Sequence, residues 1–100
     1  METKMEQKEM KTIDLRTIKV KTIDDKEEVV DVSKGIGNGI YKTTSDIGEL
    51  ILAQEIYKTG IMEINDTNVE ILRKYIKTIL LAFAQIGVEN ELSKLTKKDD

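Results

Sequence analysis

The stretch that decides the fold runs from Val69 to Leu95, "VEILRKYIKTILLAFAQIGVENELSKL". Val69, Leu72, Ile76, Ile79, Leu80 and Phe83 recur at helical spacing and form one apolar stripe, which predicts a long C-terminal amphipathic helix. From Ile79 to Ala84, "ILLAFA", every position is apolar. A helix that is hydrophobic all round must be enclosed all round or must face another chain. Gly87 is expected to end or loosen this helix, with Val88, Leu92 and Leu95 adding a weaker amphipathic turn. One hundred residues supply one domain with a thin core. The girdle therefore predicts self-association, with Tyr75, Ile79, Leu80, Leu81 and Phe83 as the interface.

Upstream of that helix, "NDTN" at 65–68 offers Asp66 or Thr67 as the cap, and Glu70 completes a Thr-x-x-Glu box. "IMEI" at 61–64 reads as a short strand. Before it, Asp46 and Glu49 form a capping pair ahead of Ile47, Leu50, Ile51, Ala53, Ile56 and Tyr57. Lys58 falls in the last turn of that helix, and Gly60 is placed as its left-handed C-terminal residue. At the other end, "IDLRTIKVKTI" from Ile13 to Ile23 is rich in β-branched residues. Ile13 and Leu15 alternate on one side and Ile18 and Val20 on the other, so a bulge near Arg16–Thr17 is expected. "DDKEE" at 24–28 reads as a charged turn and "VVDV" at 29–32 as the returning strand. The order is β-β-α-α-β-α: an α+β domain with an N-terminal β-hairpin, a short Gly-rich helix, and helices on one face of a small sheet. The domain spans 12–96, between a flexible N-terminal arm at 1–11 and a charged C-terminal tail at 97–100. There is no proline, and no repeat recurs at a fixed period.

"SKGIGNGIYKTTSD", Ser33–Asp46, has glycine at every second position from 35 to 39. A Gly-rich segment between a strand and a helix is a neighbourhood for phosphate. The spacing is G-x-G-x-G rather than the dinucleotide G-x-G-x-x-G, and Gly39 is followed by Ile40 and Tyr41 rather than Lys-Ser/Thr. Close backbone packing, with the small residues pressed against a neighbour, fits better than a phosphate cradle. The alternative is an anionic-ligand or nucleotide site formed by Lys34, Gly35, Gly37, Gly39 and Lys42.

Composition narrows the chemistry. The chain has no histidine and no cysteine, which removes the usual general base, the thiolate nucleophile and the commonest metal ligands. Ser33, Ser45 and Ser93 therefore have no histidine partner, and nothing in the spacing of Glu49, Glu55 and Glu63 pairs them. The acidic turn Asp24, Asp25, Glu27, Glu28 lacks the ligand alternation and central glycine of a calcium loop. Arg16, Lys19 and Lys21, with Arg73, Lys74 and Lys77, make two small basic groups. A net charge of −3 disfavours nucleic acid as a partner all the same. The N-terminus has no apolar signal region, and the longest apolar run is too short to span a bilayer. These features predict a soluble cytoplasmic protein that is not an enzyme, with no membrane partner and no cofactor or metal.

The segment "GNGIYKTTSDIGELILAQEIYKTGIMEIND" with the helix after it resembles short hypothetical proteins of bacteriophages and mobile elements. In these a small-residue helix leads to "ELxLAxxIY", a glycine, a short acidic strand and a closing amphipathic helix. The resemblance covers about residues 37 to 83 and is carried by Tyr41, Leu50, Ala53, Ile56, Tyr57 and Gly60. It implies a fold and a genomic setting, and no functional residue. Together these readings predict a non-enzymatic, homo-oligomeric interaction module, an accessory factor that meets itself and a further protein. A nucleotide-sequestering protein and a small DNA-binding regulator are the alternatives.

Overall fold

The first apolar residues settle their two-face conflict with a turn rather than a bulge. β1 (Thr12–Asp14) ends, the chain turns through Leu15–Thr17, and β2 (Ile18–Lys21) begins. Asp14 organises the turn: its carboxylate accepts from the Arg16 backbone N–H at 2.9 Å and from Arg16 Nε and Nη2 at 2.9 and 3.0 Å. Ile13, Leu15, Ile18 and Val20 are all buried as a result. The turn also divides the expected single sheet in two. β2 forms an antiparallel hairpin with β3 (Glu27–Val30), whereas β1 pairs antiparallel with β4 (Ile61–Glu63). Leu15 links the two ladders. Its N–H donates to the Gly60 carbonyl at 2.7 Å, and its carbonyl accepts from the Val32 N–H at 2.9 Å.

The computed structural model describes residues 11–96, so the expected arm, apart from Lys11, and the tail lie outside the described residues. The remaining elements are α1 (Ser33–Thr43), α2 (Ile47–Thr59), α3 (Asp66–Ile79) and α4 (Ala82–Thr96). The class is α+β, with four helices and two small antiparallel sheets among the described residues. α1 and α2 form a tight helical pair, α4 lies across β2, and β4 leads from α2 into α3. One aliphatic core joins all of these, including Ile13, Ile18, Ile36, Ile40, Ile56, Leu72, Ile76, Val88 and Leu92.

Local chemistry sets the helix ends. Asp46 caps α2 by accepting from the Glu49 N–H at 3.0 Å. Gly60 ends it at φ 76°, and the Arg16 side chain lies over it where a Cβ would stand. The cap of α3 is Asn65, which accepts from the Asn68 N–H at 2.8 Å, rather than Asp66 or Thr67, which fall inside the helix.

The largest departure from the sequence reading is at the C-terminus, where the expected long helix is two helices broken at Leu80–Leu81. Leu80 is extended (φ −102°, ψ 149°), and α4 starts again at Ala82. The reason is geometric. Leu72, Ile76, Ala84, Val88 and Leu92 are buried, and they are spaced by four or by eight residues. At about 100° per residue, each step of four drifts the buried face by about 40°, so from 72 to 92 it rotates by about 200°. A straight helix cannot keep such a spiral against one core. The break re-aims α4 so that its buried face meets the β2–β3 hairpin. Gly87 does not end this helix. It sits inside α4 against β2, where a Cβ would stand 2.6 Å from the Lys19 carbonyl oxygen.

Candidate functional site

Two surface features are built by this framework. The first is the α3–α4 corner. Part of its backbone is tied within the corner: the Ala84 and Gln85 N–H groups donate to the Leu81 carbonyl at 3.0 Å, and Gln85 Nε2 donates to the Leu80 carbonyl at 2.9 Å. Its side chains are less well covered. Leu81 is 73% exposed, Phe83 44% and Ile86 61%. Phe83 and Ile86 are one turn apart on α4, so their side chains are neighbours.

The expected interface is thus only partly on the surface. Leu81 and Phe83 are exposed. Ile79 and Leu80 are half-buried against the core, with Ile79 filling the space beside Gly39 of α1. Tyr75 is half-buried, and its hydroxyl donates to Glu49 Oε1 at 2.6 Å. Ile86 was not singled out in the sequence, although its place three residues after Phe83 puts it on the same helical face.

Glu49 is the polar centre of the helical layer. Besides Tyr75, its carboxylate accepts from Thr44 Oγ1 at 2.7 Å and Lys74 Nζ at 2.9 Å. These bonds tie the α1–α2 connection and α2 to α3. The Tyr75 hydroxyl, then Thr44 and Lys74, stabilise the ionised form and lower its pKa from the ordinary value to about 2. Both carboxylate oxygens of Glu49 thus accept from side chains of its own fold, two donors at Oε1 and one at Oε2.

The second feature is a groove between α1 and α2. Gly37, Asn38 and Tyr41 line it from α1, and Ala53, Gln54, Tyr57 and Lys58 from α2; its volume is about 210 Å³. The sequence contains a signal for it in a single recurrence rather than a fixed period. "GNGIYKT" at 37–43 and "AQEIYKT" at 53–59 are versions of one heptapeptide. Each closes its helix, and in each the threonine hydroxyl donates to the carbonyl four residues back, Thr43 to Gly39 and Thr59 to Glu55. Ile40 and Ile56 are both fully buried, while Tyr41 and Tyr57 are 47% and 46% exposed. The small residues let the helices approach: a Cβ on Gly37 would stand 2.9 Å from the Ala53 carbonyl oxygen and from Tyr57 Cβ. The two tyrosines therefore stand over the same groove, one from each helix.

The glycine segment is helical rather than a loop. Gly35, Gly37 and Gly39 all lie within α1, so the Gly37 and Gly39 amides belong to the interior of the helix. Of the three, only the Gly35 N–H falls in the first turn, where the helix itself supplies no acceptor. At the start of α1, the Asp31 carboxylate already accepts from the Ser33 N–H and hydroxyl at 2.9 and 2.7 Å. Those bonds hold its pKa below the usual carboxylate value. Lys34 and Lys42 stand two turns apart on α1, and the Lys34 ammonium is 4.8 Å from the Tyr57 ring centre. Of the expected ligand residues, Gly37 reaches the groove and Lys34 its rim.

A larger cavity, about 580 Å³, lies between β4, the start of α3 and the end of α4. Charges of both signs line it (Lys11, Asp66, Glu70, Arg73), and they select for no ligand class. Among the described residues no cluster of acidic side chains is arranged to hold a metal, and no helix is long and apolar enough to cross a membrane. No family model, curated protein or solved structure matches the chain.

Proposed function

We propose that the protein is a non-enzymatic interaction module that self-associates through the α3–α4 corner. The observation that carries this reading is the exposure of Leu81, Phe83 and Ile86 within six residues of one another. Burying such side chains releases about 1.5–3 kcal/mol each when burial is complete. A contact that pairs the corner with its copy engages three from each chain. The absence of histidine and cysteine, and the engagement of both Glu49 oxygens in hydrogen bonds within the fold, support a role by contact rather than by catalysis. The resemblance of residues 37 to 83 to bacteriophage and mobile-element proteins supports an accessory role in that setting.

The test is sedimentation equilibrium of the full chain across micromolar concentrations. The wild type is expected to associate, and a Leu81→Lys, Phe83→Glu double variant to remain monomeric. A wild-type chain that is monomeric throughout the range would falsify self-association.

A further inference from the structure

We infer that the groove between α1 and α2 is a binding site for a nucleobase carrying a phosphate, a nucleoside monophosphate or the end of a nucleotide. Four observations converge on that ligand class. Tyr41 and Tyr57 stand over one groove from opposite helices, and a phenol ring is a stacking surface for a flat base. The floor is Gly37 packed directly against Ala53, and because neither carries more than a methyl the space above them stays open for a ring. Asn38 and Gln54 place a primary carboxamide on each side, and neither makes a side-chain hydrogen bond among the described residues. A carboxamide offers a donor and an acceptor together, which is what the edge of a base presents and what a phenyl ring lacks. Lys58 lines the groove and Lys34 stands at its rim over Tyr57, whereas no carboxylate lines it.

Size and charge choose between occupants. About 210 Å³ is smaller than the roughly 300–1,000 Å³ typical of sites that enclose drug-sized ligands. The groove therefore takes one ring system and leaves the remainder of the ligand at the rim. There the two ammonium groups favour an anion, and a phosphate attached through a sugar supplies one. The expected anionic-ligand site is in this way moved from the glycine amides of α1 to the side chains between α1 and α2. The inference does not depend on self-association, because the corner contributes no residue to the groove.

The experiment is titration of the full chain with AMP, GMP, CMP and UMP, followed by tyrosine fluorescence and by amide NMR shifts. At least one mononucleotide is expected to saturate the protein in the micromolar to millimolar range, with shifts centred on Asn38, Tyr41, Gln54 and Tyr57. The parent nucleoside is expected to bind more weakly, and ribose 5-phosphate not to bind. Tyr57→Ala should weaken binding about tenfold or more, as loss of a stacking ring does. Gln54→Ala and Lys58→Ala, at exposed positions that leave the fold intact, should each weaken it as well. The proposal is overturned by any of three results: no saturation at millimolar mononucleotide, equal binding of ribose 5-phosphate, or unchanged affinity in both exposed-site variants. Displacement of the nucleotide by an acidic peptide carrying a phenylalanine, at lower concentration, would equally overturn it and assign the groove to a protein partner.

Discussion

One substitution, glycine to alanine, should change stability in opposite directions at different positions of this fold. At Gly35 nothing lies within 4 Å of the added Cβ. Alanine there gains helix propensity and loses nothing, so stability should rise by about 0.5–1 kcal/mol. For a domain of this length that is a rise in Tm of about 2–8 °C. At Gly37 the same methyl meets the Ala53 carbonyl oxygen and Tyr57 Cβ at 2.9 Å, so the two helices must separate. Overpacking costs about 1–3 kcal/mol, and the propensity gain of about 1 kcal/mol offsets part of it, leaving a net loss of about 1 kcal/mol. Gly87 is tighter. Its Cβ would stand 2.6 Å from the backbone oxygen of Lys19 and 2.8 Å from Val20 Cγ1. Neither is the end of a long side chain, so α4 itself must move off β2, and the expected net loss is about 2 kcal/mol. Gly39 meets only the Ile79 side chain, Cδ1 at 2.5 Å and Cγ1 at 2.8 Å. The methyl can turn away but Cγ1 must shift with the half-buried side chain, so the propensity gain is offset and the net change should be a loss smaller than at Gly37.

Urea denaturation followed by circular dichroism measures the series, at one fixed protein concentration because association raises apparent stability. The order of stability should be Gly35→Ala above wild type, Gly39→Ala slightly below it, Gly37→Ala lower, and Gly87→Ala lowest. If Gly87→Ala were as stable as the wild type, α4 could not lie on β2 as described. Four alanines that all stabilised would mean that helix propensity alone governs these positions.

Asn65→Ala should cost about 1 kcal/mol through the lost cap of α3, whereas Thr67→Ala should change stability by less than about 0.5 kcal/mol; thermal melts of the two variants check this. Acid should destabilise the fold through Glu49. Its folded pKa of about 2 lies below the ordinary 4.5, so its contribution is fully present above about pH 4.5 and is lost as the pH falls toward about 2. Asp14 and Asp31, whose values are also lowered by hydrogen bonds to Arg16 and Ser33, act in the same direction. Glu49→Gln should be less stable than wild type at neutral pH and should lose less stability between pH 4.5 and 2; parallel acid slopes for the two proteins would contradict the assignment. The Leu81→Lys, Phe83→Glu variant, altered only at exposed positions, should keep the monomer's stability within about 0.5 kcal/mol while abolishing assembly, as read by dilute-solution melts beside sedimentation.

What was legible in the sequence was local. Asp46 with Glu49, and Lys58 with Gly60, mark the two ends of α2 because a cap and a left-handed glycine act within one turn of the chain. The class, the strand at 61–63 and the helical state of the glycine segment followed from similar short-range signals. What escaped was set in part by distant partners. Arg16–Thr17 reads as a bulge until β4 is known to take β1 away from β2. The cap of α3 was missed for a local reason, since Asn65, Asp66 and Thr67 are all capping residue types in a row and the helix begins earlier than the Thr-x-x-Glu box implies. The α1–α2 groove was hidden for another reason: its two halves lie sixteen residues apart in sequence, so only a comparison of the two heptapeptides reveals them.

The break at Leu80–Leu81 changes what the apolar girdle means. A run that is greasy on all sides suggests a surface wholly given over to a partner. In this fold half of it has an internal cause. The buried face of α3 and that of α4 point in different directions, and the residues at the crossing serve both, so Ile79, Leu80 and Ala84 are apolar for the monomer's own core. Leu81, Phe83 and Ile86 are not explained this way. Leu81 and Ile86 remain largely outside after the crossing has been satisfied and Phe83 nearly half so, and none of the three belongs to the buried core. The proposed assembly thus rests on three side chains around one corner rather than on six consecutive positions, and those three are the ones a dissociating substitution has to reach.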